Sequence, residues 1–78
     1  MSEYTPKQGQ YLAFIYYYTK VNGIPPAEAD MQYYFRVTPP TVHQMILKLA
    51  EKGLIRRTPR QARSIVVLLP PEELPPLE

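Results

Sequence analysis

The run Thr38-Pro39-Pro40-Thr41-Val42-His43-Gln44-Met45-Ile46-Leu47-Lys48-Leu49-Ala50-Glu51-Lys52-Gly53 decides how this chain folds. Two prolines behind a threonine mark a helix start, because the first amides of a helix have no partner inside it and proline gives up nothing there. Val42, Ile46 and Leu49 recur at spacings of four and three, which is one apolar stripe on a helix. Gly53 suits the left-handed residue that stops it. The reading is a helix over about 39–52, roughly 21 Å long, apolar along one edge and polar opposite. A cap bonds the amide of the second or third helical residue. Pro40 has no amide, so Thr38 Oγ is expected to take that of Thr41.

Upstream, Thr5-Pro6-Lys7-Gln8 carries a cap, a proline at the first helical position and a glutamine three residues after the cap, which is a capping box. Tyr11, Phe14, Ile15, Tyr18 and Val21 then recur at helical spacing up to Gly23, predicting a helix over about 6–22. Tyr16 and Tyr17 fall off that stripe and are expected to be exposed. Ile24-Pro25-Pro26 is a rigid extended turn. A second helix follows over about 27–35, with Ala29, Met31, Tyr34 and Phe35 on its apolar side, and Arg36-Val37 makes the next turn.

Downstream, residues 54–57 and 64–69 read as strands joined by the basic loop Thr58-Pro59-Arg60-Gln61-Ala62-Arg63. Alternation turns Ile65 and Val67 inward and Val66 and Leu68 outward. A domain over 1–69 is expected, with a proline-rich acidic tail over 70–78 in extended form. The fold class is mainly α with a small β-hairpin. Three helices and a two-stranded wing make a winged helix-turn-helix, in which the second and third helices form the helix-turn-helix pair.

The charge of +2 over 78 residues conceals a polarised distribution. Residues 36–69 hold Arg36, Lys48, Lys52, Arg56, Arg57, Arg60 and Arg63 against Glu51 alone, a balance of +6. The tail holds Glu72, Glu73 and Glu78, and residues 1–35 balance to −1. A concentrated cationic half attracts polyanions. There is no cysteine, which excludes disulfides, a thiolate zinc site and a thiol nucleophile. The single His43 excludes a His-paired metal or catalytic arrangement within one chain. The carboxylates are scattered, so neither enzymatic activity nor a cofactor is expected. No stretch reaches the roughly 18 apolar residues of a membrane helix. The start Met1-Ser2-Glu3-Tyr4 lacks the pattern of a signal peptide. The expectation is a cytoplasmic, nucleoid-associated protein with no membrane partner and no evident small-molecule effector.

Tyr4-Thr5-Pro6-Lys7-Gln8, Tyr11, Phe14-Ile15, Tyr18, Gly23 and Ile24-Pro25-Pro26 stand in an order that resembles the DNA-binding domain of LexA-type repressors. So do Thr41-Val42-His43, Ile46, Lys48-Leu49 and Glu51-Lys52-Gly53-Leu54-Ile55-Arg56-Arg57. The resemblance covers nearly all of residues 4–68. It implies a winged helix-turn-helix and sequence-specific operator binding as a dimer, in the manner of a small repressor-like transcription regulator. Such repressors also carry a self-cleavage domain with a Ser/Lys dyad. Only ten residues follow the wing here, so self-cleavage is not expected to carry over. The turn before the third helix is one residue shorter and has Arg36 where the family tends to have glycine.

On the positions that match, double-stranded DNA is expected to meet Thr38, Pro40, Thr41, His43 and Gln44 at the start of the third helix. Lys48 one turn on would reach the backbone, and Arg57, Arg60 and Arg63 in the wing (about 57–63) would reach phosphates or a minor groove. A glutamine amide pairs with adenine N6 and N7, which makes Gln44 the strongest candidate for base readout. Blander roles stand beside these: His43 and Gln44 as solvated helix, and Arg56 with Arg57 as charges protecting a strand edge. A homodimer is expected through Val66, Leu68, Leu74 and Leu77 or through the tyrosine face of the first helix. The alternative folds the tail back over Val66 and Leu68. Competing functions are a winged-helix protein–protein interaction module and RNA binding without groove readout.

Overall fold

A computed structural model describes residues 4–78. Helix α1 spans Pro6–Asn22. Its capping box forms as expected: Thr5 Oγ1 accepts from the Gln8 amide at 3.2 Å and Gln8 Oε1 accepts from the Thr5 amide at 3.0 Å. Gly23 closes it at φ 78°, a left-handed conformation that suits a residue without Cβ. Helix α2 spans Glu28–Phe35. Ala27 has no side-chain oxygen to cap it, so only the returning half of the box is made, by Asp30 Oδ2 on the Ala27 amide at 2.8 Å. The chain leaves α2 through Arg36 at φ 57°, a conformation costly for any residue with a Cβ.

Helix α3 spans Pro39–Glu51 and begins with the two prolines. The expected cap is not made. The Thr38 carbonyl, not its hydroxyl, takes the Thr41 amide at 3.0 Å and also the Val42 amide at 3.3 Å. The Thr38 and Thr41 hydroxyls lie 2.9 Å apart and bond each other. With two prolines removing donors, the backbone carbonyl alone suffices for the amides that remain. Strands β1 (Ile55–Arg56) and β2 (Val66–Val67) pair antiparallel, Ile55 with Val67 and Arg56 with Val66. They are shorter than the expected 54–57 and 64–69. The Thr58 amide goes to Ser64 Oγ at 2.9 Å, so a side chain replaces the next rung of the ladder.

Val42, Ile46, Leu49, Leu12, Ala13 and Met31 have no exposed surface, and Tyr11, Phe14, Ile15, Leu54, Ile55 and Ile65 join them in one core. Tyr11 stacks on Phe35 at 4.1 Å and 10°. Burial pushes its hydroxyl above the ordinary tyrosine pKa. Five consecutive residues of α1, Tyr11 to Ile15, are buried. A helix covered on one face buries a stripe, whereas this one is covered on several sides, so Leu12 and Ala13 belong to the core although the stripe omits them. Conversely Val21 and Ala29 are exposed, and Tyr16 is half-buried rather than exposed. Ile65 is buried and Val67 half-buried, while Val66 and Leu68 face solvent, as the alternation requires.

The tail is folded onto the body. A 3₁₀ turn, Pro71–Glu73, interrupts its extended course, and Leu74 and Leu77 are half-buried against the core. The Tyr4 hydroxyl donates to the Glu73 carbonyl. Gln10 grips the end from both sides, donating to the Pro76 carbonyl at 3.0 Å and accepting from the Glu78 amide at 2.9 Å. The Tyr34 hydroxyl donates to the Glu78 carbonyl at 2.6 Å. The tail does not cover the outward side chains Val66 and Leu68, which remain 42% and 47% exposed. Gly9 permits the close approach. A Cβ there would stand 2.8 Å from the Tyr4 ring and 3.0 Å from Pro75 Cγ. Gly9→Ala is therefore expected to leave α1 intact, since alanine favours helix by up to about 1 kcal/mol over glycine. It should lift the tail, read as faster hydrogen exchange of the Glu78 amide with core amides unchanged.

Candidate nucleic-acid interface

With Val42, Ile46 and Leu49 turned into the core, the 3.6-residue period of α3 leaves Thr41, His43, Gln44, Leu47 and Lys48 exposed. Thr41, Gln44 and Lys48 line a shallow concavity together with Gln8 of α1 and Met45. Gln8 Oε1 also accepts from Lys52 Nζ at 2.9 Å, tying the end of α3 to the start of α1. Thr38 and Pro40 are exposed at the start of α3. Of the first four helical amides, two are absent as prolines and two are taken by the Thr38 carbonyl. Anion binding by free amides at a helix start is thereby removed, and side chains are left to do it. His43 lies at the other side of the exposed face, its Nδ1 at 3.4 Å from both Glu28 oxygens.

Arg57, Arg60 and Arg63 line a second concavity, of about 270 Å³, between the wing and the first turn of α2. Glu28 lines it too, and so sits between the wing and His43 of α3. The wing loop curls without a glycine: Arg60 and Arg63 both adopt positive φ, 67° and 57°. Ser64 closes the curl, its hydroxyl accepting from the Thr58 amide and donating to the Gln61 carbonyl at 2.9 Å. Arg60 is exposed, Arg57 half-buried, and Arg56 exposed on its strand. Arg63, expected from the sequence to reach phosphates or a minor groove, is exposed and has its Nη1 at 3.0 Å from Asp30 Oδ2 and at 3.1 Å from the Tyr18 hydroxyl.

Among the described residues, Arg63 forms an ion pair with Asp30, and the His43 ring faces the Glu28 carboxylate. Lys48, Arg56, Arg57 and Arg60 have no carboxylate partner there, so binding a phosphate would not require breaking one. Sequence reasoning missed Gln8 and Leu47. Gln8 was read only as a cap, and its double duty depends on where α3 docks. Leu47, 44% exposed, is an apolar side chain on the polar face of α3. Its helical register, off the Val42/Ile46/Leu49 stripe, was the signal available. A larger concavity, about 690 Å³, lies elsewhere among Phe14, Tyr18, Tyr33 and Tyr34 and includes none of the expected contact residues. Among the described residues no acidic, His or Cys cluster is placed to hold a metal, and no helix is long and apolar enough to cross a membrane.

Comparison with known proteins finds one family and several repressors to which this sequence is similar. The family described as the LexA DNA binding domain matches residues 1–64. The LexA repressor of Thermosipho africanus is 39% identical over 72 residues, covering 92% of this chain and 36% of that protein. That of Magnetococcus marinus is 39% identical over 72 residues, 91% of this chain and 31% of that protein. That of Bartonella quintana is 37% identical over 71 residues, 90% and 30% respectively. The chain thus spans about a third of the length of the curated relatives it matches.

Proposed function

This chain belongs to the LexA DNA-binding domain family, and on that premise we propose that it binds double-stranded DNA sequence-specifically as a small, non-catalytic, repressor-like regulator. The exposed face of α3 enters the major groove, which is about 12 Å wide. Gln44 reads a base edge, Thr41 offers its methyl to thymine, and Thr38, Pro40, His43 and Lys48 flank them. Arg57 and Arg60 of the wing lie on the backbone or in the adjacent minor groove. The observation that carries this reading is the inward stripe Val42/Ile46/Leu49, which leaves the polar residues of α3 outward beside unpaired cations. Residues 1–69 form the binding domain, and residues 70–78 are an acidic strap docked on it.

Two copies would read two half-sites about one helical turn apart, which multiplies specificity. The outward pair Val66 and Leu68 offers an exposed apolar patch to that pairing, which in a two-fold dimer would meet its own copy. The test is a selection of bound sequences from random duplex DNA, with light scattering of the free protein and of the complex. The expected result is an enriched site with two-fold symmetry, bound by two chains. No enrichment over random duplex contradicts the DNA reading. An enriched site bound by one chain contradicts the dimer only.

A further inference from the structure

The wing of this domain carries three arginines, and one of them, although exposed with 39% of its side chain open to solvent, is engaged by the body of the domain. Arg63 Nη1 lies 3.0 Å from Asp30 Oδ2 in the first turn of α2, 3.1 Å from the Tyr18 hydroxyl on α1, and 3.3 Å from the Pro25 carbonyl between them. Its guanidinium carbon stands 6.0 Å from the Tyr18 ring centroid, within cation–π range. Three separate parts of the body therefore converge on one side chain. The same Asp30 oxygen accepts the Ala27 amide, so the carboxylate that starts α2 is also the one that receives the wing.

From this we infer that Arg63 is a positioning residue, a latch that fixes the wing so that Arg57 and Arg60 meet the DNA backbone, and that its charge is spent on Asp30 instead of a phosphate. The inference rests on the DNA reading for its purpose but on internal geometry for its existence. The loop it secures has little else to hold it. The β ladder ends at Arg56 and Val66, and the curl beyond is closed on itself by Ser64. Arg63 adopts positive φ at the foot of that curl, which aims its side chain back at α2. Without the latch the curl and its two free arginines would swing about a two-rung hairpin, and a two-stranded hairpin alone is marginal in water. Phosphate binding by a mobile loop costs the entropy of ordering it, and the latch removes that cost beforehand.

The two roles predict opposite signs for one substitution. Asp30→Asn removes a negative charge near the wing but leaves an oxygen for the Ala27 amide. If Arg63 is a DNA contact, the change reduces its ion pair to a neutral hydrogen bond, makes it easier to recruit and tightens binding to duplex. If Arg63 is a latch, the change weakens binding. Arg63→Ala separates them again. A lost phosphate contact lowers the slope of log affinity against log salt by about 0.9; a lost latch lowers affinity with the slope unchanged. Tyr18→Phe, which removes one hydroxyl, should act in the same direction as Asp30→Asn and more weakly.

The experiment is duplex binding across a salt series for the full chain and these three variants. Alongside it, hydrogen exchange of the Thr58 and Gln61 amides is followed without DNA, using the Ile46 amide as the control for folding. The latch predicts several-fold weaker binding for Asp30→Asn and Arg63→Ala at unchanged slope, with faster exchange in the wing and an unchanged Ile46 amide. Tighter binding by Asp30→Asn, or a slope lowered by about 0.9 in Arg63→Ala, overturns it while leaving the DNA reading standing. Unchanged wing exchange in both variants overturns it without reference to DNA. Faster wing exchange in a protein whose parent binds no duplex supports the latch and defeats the DNA reading instead.

Discussion

Ile46→Ala is expected to lower stability by about 2–5 kcal/mol, the range for truncating a buried aliphatic side chain where the surroundings cannot collapse into the space. Ile46 has no exposed surface and lies one turn from both Val42 and Leu49, themselves fully buried. A chain of this size has a total stability of order 5–10 kcal/mol, so the loss removes a large part of it. Thermal unfolding followed by circular dichroism should show a midpoint lower by about 8 °C or more, taking roughly 4–8 °C per kcal/mol. The paired control is Leu47→Ala on the same helix. Leu47 is 44% exposed, and its truncation should change stability by no more than about 0.5 kcal/mol. Equal losses from the two would mean that α3 is rotated from the orientation described, and its polar face would no longer be the one offered to DNA.

Gln44→Ala is expected to cost about 1–3 kcal/mol on the selected site and little on random duplex, because a side-chain amide on a base edge discriminates whereas a phosphate contact does not. Gln44 is exposed at the centre of the polar face of α3, beside Thr41 and Lys48. Its removal should leave folding unchanged, so the loss belongs to recognition. Lys48→Ala is the contrast: a phosphate contact gives a similar loss on both DNAs and a salt slope lower by about one. Anisotropy titrations with a labelled duplex measure both. Equal loss from Gln44→Ala on specific and random duplex would place base readout elsewhere on the face, with Thr41, His43 and Leu47 as the remaining candidates.

How much of this was legible in the sequence follows from how far each signal reaches. The bounds of α1 were readable to the residue because a capping box and a helix-closing glycine are local chemistry. The stripe of α3 was readable because one face only is covered. Leu12 and Ala13 were not, since burying them needs cover from several sides of α1, and the spacing of α1's own residues does not say where that cover comes from. Gly9 reads as an ordinary weak point in a helix until Pro75 is brought against it. The Thr38 cap failed for a subtler reason. Pro40 has no amide to offer, but the Thr41 amide has a backbone acceptor within reach as well as a side-chain one, and the backbone carbonyl takes it. Arg63 is the clearest limit: its three partners stand 33, 38 and 45 residues away, and composition counts its charge without saying what it faces.

The cationic half of the sequence becomes a recognition surface only if α3 and the wing meet one duplex together. A titration of the isotope-labelled chain with the selected duplex, followed residue by residue through amide chemical shifts, tests that directly. The largest changes are expected at Thr41–Lys48 and at Arg57–Gln61, with Tyr17, Val21 and the tail unmoved. Changes concentrated at Val66, Leu68 and the outer face of α1, with Thr41 and Gln44 silent, would contradict it.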